Sequence, residues 1–175
     1  MKCLILGDGI LGGFLKDKTG WDCVSRKING IDALNFKSVE SHLYGYDTII
    51  NCIANTNTYS GDRDLHWKLN YEFVDKLVEF CNRENVKLVH ISTDYLYSGS
   101  KNLASEKDVP VHINTWYGYT KLLGDGHVQL KCNQYLICRL SHKKNPFPYN
   151  EAWVDIITNC DYVDVIGEKV IKLIK

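Results

Sequence analysis

Four side chains stand where chemistry could be done: Ser92, Thr93, Tyr117 and Lys121. Ser92 and Thr93 end an apolar run over residues 86–91 that reads as a buried strand. Tyr117 and Lys121 open a helical pattern running to about residue 131, and a spacing of four sets them on one helix face. Hydroxyls at the C-terminal end of a strand thus accompany a phenol and an amine one helical turn apart. In an open parallel sheet, that end of the strands is where ligands bind. The residue types suit proton transfer. An unperturbed phenol titrates near ~10, and an ammonium beside it would stabilise the phenolate. Spacing alone is weak evidence. With 11 Tyr among 175 residues, roughly one Tyr-x-x-x-Lys match is expected by chance. Tyr97 and Lys101 form a second match, in a Ser- and Gly-containing loop where that spacing does not bring two side chains together. The elements around the first match must decide between them.

The chain opens with a short apolar run over residues 2–6, then Gly7-Asp8-Gly9-Ile10-Leu11-Gly12-Gly13, then a helical pattern through residue 16. Strand, Gly-x-Gly-x-x-Gly and helix in that order form a phosphate-binding turn. The first Gly allows the tight turn, the second lets a pyrophosphate approach the backbone, and the third lets helix and strand pack closely. The bland alternative is a glycine-rich turn with no ligand. A second strand is predicted over 21–25, ending in Ser25-Arg26-Lys27. A carboxylate there would bind a ribose 2′-hydroxyl and mark NAD. A basic pair suits a 2′-phosphate instead, and so NADPH over NADH; the alternative is two solvated charges after a strand. A third strand is predicted over 47–53. It is followed by Ala54-Asn55-Thr56, small residues that would let an adenine-ribose lie close to the backbone, or that are a plain strand end.

The remaining elements alternate in type. Residues 36–44 read as a short helix. Over 62–84, Leu65, Leu69, Phe73, Leu77, Val78 and Cys81 recur at helical spacing, with His66 and Trp67 read as packing or surface residues. A loop over 98–114 is longer than usual, which favours a functional role. A strand is predicted over 134–140, a helix capped by Asn150 through 158, a last strand over 162–166 and a closing helix over 168–174. Alternating strands and helices imply a doubly wound parallel α/β sheet.

Composition bounds the function. Lys plus Arg and Asp plus Glu both number 21, hydrophobic residues make up 45% and charged residues 24%. A balanced, ordinary globular composition gives no bulk electrostatic reason to expect nucleic acid or an acidic membrane. Seven cysteines without a Cys-x-x-Cys pair read as buried free thiols in a reducing, cytoplasmic setting. The first apolar run is too short for a signal core, and no stretch approaches a membrane span.

Together these motifs resemble the short-chain dehydrogenase/reductase superfamily, and within it the extended branch containing dTDP-4-dehydrorhamnose reductase. The resemblance rests on the early glycine loop, on Asn51-Cys52-Ile53-Ala54 and on Leu69-Asn70. It rests most on Ser92-Thr93-Asp94-Tyr95-Leu96-Tyr97 and on Tyr117-Gly118-Tyr119-Thr120-Lys121-Leu122-Leu123-Gly124-Asp125. It covers about residues 1–140, with an echo over 164–174. Three departures stand out. The glycine loop lacks the extended branch's Gly-x-x-Gly-x-x-Gly spacing, Cys52-Ile53 replaces a pair of alanines, and the region after Leu140 is short for a substrate lobe.

The resemblance implies a Rossmann-like fold, with a dinucleotide-binding domain over 1–140 and an abbreviated C-terminal segment over 141–175 packed on it. It implies a reductase in which Thr93, Tyr117 and Lys121 are catalytic and no metal takes part. Cofactor contacts are expected from Gly7, Gly9, Ile10, Leu11, Gly12, Ser25, Arg26, Lys27, Cys52, Ile53, Ala54 and Ser92, together with Tyr117 and Lys121. Hydride would pass from NADPH to a carbonyl, on a 4-keto nucleotide sugar, while Tyr117 donates a proton and Thr93 orients the oxygen. The alternatives are a non-catalytic NAD(P)-binding subunit, or an epimerase or dehydratase of the same branch. Apolar Pro146-Phe147-Pro148-Tyr149 and Trp153 suggest a homo-oligomer in which another chain covers that side.

Overall fold

The computed structural model describes residues 1–100, 103–108, 114–152 and 160–175. The elements run β1 (Cys3–Leu6), α1 (Ile10–Thr19), β2 (Asp22–Val24), α2 (Arg26–Asn29), α3 (Phe36–Glu40), β3 (Thr48–Asn51), α4 (Arg63–Trp67), α5 (Phe73–Glu84), β4 (Lys87–Thr93), α6 (Trp116–Lys131), β5 (Tyr135–Leu140), β6 (His142–Lys143), β7 (Asp161–Tyr162) and α7 (Val163–Ile174). Five strands form one parallel sheet in the order β2-β1-β3-β4-β5. The chain steps from β1 to β2 on one side and returns to β3 on the other. That reversal is the switch point at which α/β sheets open a crevice.

The two-residue alternation of the strands builds two cores. Leu4, Leu6, Ile49 and Leu88 point to one face and pack under α5, with Phe73, Leu77 and Val78. Cys3, Ile5, Ile50 and Val89 point to the other face, against Leu11 and Leu15 of α1 and Val170 and Ile174 of α7. Both faces are covered, so the central strands carry nearly unbroken apolar runs. Helices α1 and α7 lie side by side, and a Cβ at Gly167 would run into the Phe14 ring.

Three expectations change. The strand expected over 162–166 is only Asp161–Tyr162, and helix α7 begins at Val163. Val163, Gly167, Val170, Ile171 and Ile174 are the buried residues of α7, a helical spacing that its apolar run hid. The helix expected over 62–84 is interrupted by a π-helical turn at Lys68–Glu72 between α4 and α5. Ser25-Arg26-Lys27 does not prolong a strand; Ser25 caps the short helix α2. Most of the helix expected after Asn150, and with it Trp153, lies outside the described residues. All seven cysteines are free. No described helix is long and apolar enough to cross a membrane.

Candidate active site

Helix α6 is set by its cap. The Thr115 hydroxyl accepts a hydrogen bond from the Gly118 N–H at 3.2 Å, satisfying one of the helix's open donors. From there Tyr117, Lys121 and Asp125 recur every fourth residue along one side. On β4, His90 and Ser92 share the face turned toward α6, because strand side chains alternate. The sheet register sets Arg139 of β5 beside Ser92. A polar layer thus lies beneath α6, at the C-terminal ends of the strands.

Lys121 is buried, at 1% exposure. Its Nζ donates to the Ile91 carbonyl at 2.8 Å and lies 3.4 Å from His90 Nε2. Burial lowers its pKa to about 8, while the charge of Asp125 acts the other way. Burial also raises the Tyr117 phenol, against the lowering effect of its hydrogen bond with Thr93; the carboxylates of Asp94 and Asp125 add to the rise. Tyr117 therefore holds its proton. Its ring lies 6.1 Å from that of Tyr95 and 6.4 Å from that of His66. The Thr93 hydroxyl accepts from the Tyr95 N–H at 3.2 Å, which starts the 3₁₀ turn Asp94–Tyr97. Ser92 Oγ is buried without a hydrogen-bond partner among the described residues.

The glycine loop meets the end of β3 at the switch point. Gly7 has φ +95°, and a Cβ there would lie 3.1 Å from Ile53 Cγ1. A Cβ on Gly12 would collide with the Gly7 carbonyl oxygen, whereas one on Gly9 would meet nothing within 4 Å. Open space therefore lies over Gly9 and the uncapped start of α1. Leu11 points into the core and Ile10 is about half exposed, so these two offer backbone N–H groups rather than side chains. Cys52, Ile53 and Ala54 are partly buried. Cys52 N donates to Leu6 O at 2.9 Å and Ile53 N to Asn51 Oδ1 at 3.1 Å.

At the end of β2, Ser25 Oγ accepts from the Ile28 N–H at 3.1 Å, which leaves its own proton to donate. The Arg26 guanidinium lies 3.7 Å from Asp32, with both side chains half exposed or more. Lys27 is exposed. The structure thus brings a carboxylate to Arg26 that is absent from the strand end in sequence.

Residues 1–143 match the family described as the RmlD substrate binding domain. This chain belongs to that family. It is 33% identical over 98 residues to a dTDP-4-dehydrorhamnose reductase of Salmonella typhimurium, a stretch covering 54% of this chain and 32% of that protein. Over 180 residues it is 23% identical to the dTDP-4-dehydrorhamnose reductase of Aggregatibacter actinomycetemcomitans, covering 97% of this chain and 61% of that one. The chain therefore spans less than two thirds of the length of these curated relatives. Its fold matches that of a Bacillus anthracis dTDP-4-dehydrorhamnose reductase solved in complex with NADP, with a TM-score of 0.83 and 26% identity, over 99% of this chain and 71% of that one.

In this member of the RmlD family, Thr93, Tyr117 and Lys121 come together, and the glycine loop adjoins the end of β3. Ser25, Arg26 and Lys27 lie on the far side of β1, next to the glycine loop, whose Gly7 N donates to Val24 O at 2.8 Å. Sequence reasoning assigned no role to Asn70, His90, Asp125 or Arg139. Asn70 sits in the π-helical turn. Its Oδ1 accepts from Asn55 N at 2.8 Å, and its Nδ2 donates to Asn55 O and to Thr120 Oγ1, both at 3.1 Å. A Cβ at Gly124 would lie 2.5 Å from the Asn70 carbonyl oxygen. The widened turn and Gly124 let α6 seat closely, which fixes the height of Tyr117 and Lys121 over the sheet. His90 and Asp125 carried a signal: a buried strand with an imidazole two residues before Ser92, and a carboxylate four residues after Lys121.

Proposed function

We propose that this chain catalyses NADPH-dependent reduction of a carbonyl on a nucleotide sugar. The observation that carries the reading is the Tyr117 phenol set against the Thr93 hydroxyl at the C-terminal end of β4, with Lys121 buried one helical turn on. The residues present fit a dinucleotide. The space over Gly9 and the start of α1 suits a pyrophosphate, and the unpartnered Ser92 Oγ awaits a polar group. Arg26 and Lys27 suit a 2′-phosphate once Arg26 turns from Asp32. Membership of the RmlD family and the NADP complex of the related Bacillus anthracis enzyme support the same reading.

The bound nicotinamide would supply the hydride. The protein's own residues do the rest. Thr93 orients the carbonyl oxygen by a hydrogen bond, and Tyr117 donates its proton to that oxygen as negative charge builds there. Burial keeps the phenol protonated until then. The Lys121 ammonium, fixed at the Ile91 carbonyl, stabilises the phenolate left behind. The partly exposed Phe147 and fully projecting Tyr149 (72% exposed) suit a homo-oligomer covering that side, to be checked by light scattering. The direct test is hydride transfer from NADPH or NADH to a panel of 4-keto nucleotide sugars, followed by the loss of the reduced nicotinamide's absorbance. Reduction of one of them with NADPH is expected. Cofactor binding without reduction of any carbonyl would make the chain a binding subunit.

A further inference from the structure

The layer beneath α6 contains one carboxylate and two cations, all buried or nearly so. Asp125 is fully buried, and its Oδ2 accepts from Arg139 Nε at 2.8 Å. Its Oδ1 has no hydrogen-bond partner among the described residues. The group facing Oδ1 is His90 Nε2, at 3.6 Å, and Lys121 Nζ lies 3.4 Å from the same nitrogen. The network assigns the His90 tautomer. Asn51 Oδ1 accepts from Ile53 N, so Asn51 Nδ2 faces His90 Nδ1, at 3.3 Å. Nδ1 is then the acceptor and the ring proton sits on Nε2, toward Asp125, so the approach of Lys121 Nζ to Nε2 is a close contact between two donors and not a hydrogen bond. Burial and the charge of Lys121 both hold His90 neutral. The imidazole therefore cannot balance the carboxylate, and Lys121 is the remaining cation on that side among the described residues.

We propose that Asp125 is a positioning residue for Lys121: its buried carboxylate, shared with Arg139, is the counter-charge that keeps the lysine an ammonium at the Ile91 carbonyl. This rests on the reading of Lys121 as the residue that supports Tyr117. The titratable and charged groups around Lys121 are Tyr117 and Asp125 on α6, His90 on β4, Arg139 on β5 and Cys52 after β3. A buried ammonium without a counter-charge gives up its proton more readily, and one with an undivided counter-charge holds it longer. Arg139 also reaches Tyr97 Oη with Nη1 at 2.7 Å, so the same carboxylate ties α6 to the turn that follows Thr93.

The two partners of the carboxylate should act with opposite signs. The titration of the Lys121 ε-carbon is followed by NMR in the full, cofactor-free chain, with the signal assigned by its loss in Lys121→Met. Asp125→Asn should move the Lys121 midpoint down by at least about half a pH unit, and Arg139→Gln should move it up. If Asp125→Asn does not fold because Arg139 is stranded, the double variant Asp125→Asn/Arg139→Gln should titrate below Arg139→Gln alone. An unmoved midpoint on removing Asp125, or shifts of one sign in both single variants, would overturn the proposal. The titration needs no turnover, so a chain that reduces nothing fails the proposed function while Asp125 is judged separately. In an active chain, the alkaline limb of kcat should follow the same two signs, which a purely structural role would not produce.

Discussion

The two ends of the crevice are built differently. Around Tyr117 the polar groups are buried and already held: Lys121 on Ile91 O, Asp125 on Arg139, Asn70 on Asn55 and Thr120. Around Arg26 the cations are exposed, and one rests on Asp32 at 3.7 Å. Preorganised groups in a low-dielectric layer act at full strength when charge develops, because they need not reorganise. Exposed charges pay side-chain entropy and are screened by salt, so each contributes little until a ligand gathers them. The buried end is suited to rate and the exposed end to choosing between cofactors. Substitutions at the two ends should therefore fail in different observables.

The largest effect is expected at Tyr117. Tyr117→Phe should lower turnover by ~10²–10⁴ and leave NADPH affinity nearly unchanged, as measured by stopped assays beside fluorescence titration. Wild-type turnover in the Phe variant would remove Tyr117 as the acid. Next comes the seat of α6. Gly124→Ala places a methyl 2.5 Å from the Asn70 carbonyl oxygen, so denaturant unfolding should show a loss of about 1–3 kcal/mol. Full stability would mean that α6 can rise without cost, and that the site is less rigid than its contacts imply.

The pH dependence tests the buried end alone. Lys121 titrates at about 8 because burial lowers it from 10.5. Turnover that needs the ammonium should fall about tenfold per pH unit above that value. The fold should survive there. Burial raises Cys52 and Cys81 from 9.0 to about 12. Their contribution to stability is thus complete below 9.0 and is lost as pH rises through about 12. Lys121 works in the opposite sense, since the unfolded chain binds the extra proton between about 8 and 10.5. Circular dichroism at pH 8.5 should therefore match that at pH 7 while the rate has dropped. Parallel loss of both signals would assign the rate effect to unfolding.

The exposed end should show smaller, selective effects. Arg26→Ala is expected to weaken NADPH binding about tenfold, the loss of one charge-assisted contact, and scarcely touch NADH. Equal affinity of the wild type for both cofactors would show that these cations are only solvated. Smallest is Ser25→Ala, which removes the cap of α2. A helix of four residues contributes little by itself, so a stability loss of about 1 kcal/mol or less is expected, with any further loss confined to NADPH affinity.

Much of this was written locally in the chain. The alternation of Leu4 with Ile5 and of Leu88 with Val89 and the Gly7–Gly12 turn each depend on a few neighbouring residues, so their patterns predict strands and a phosphate turn. Tyr117 and Lys121 are paired by helix geometry alone. The misreadings also have local causes. The apolar run at the start of α7 is compatible with either period, and Ser25 serves equally as a strand end or as a cap.

What only the tertiary structure decided are the meetings across long stretches of chain. The β4–β5 register sets Arg139 beside Ser92 and so brings it to Asp125. The π-helical turn carries Asn70 to Asn55 and Thr120. The chain beyond α2 returns Asp32 to Arg26. These pairs have no sequence period, because their distance is set by sheet register and helix seating rather than by the rise of one element. The sequence by itself determined which groups could do chemistry and at which end of the sheet. Burial, which exists only once the layers close, decided that Tyr117 keeps its proton and that Lys121 depends on a buried counter-charge.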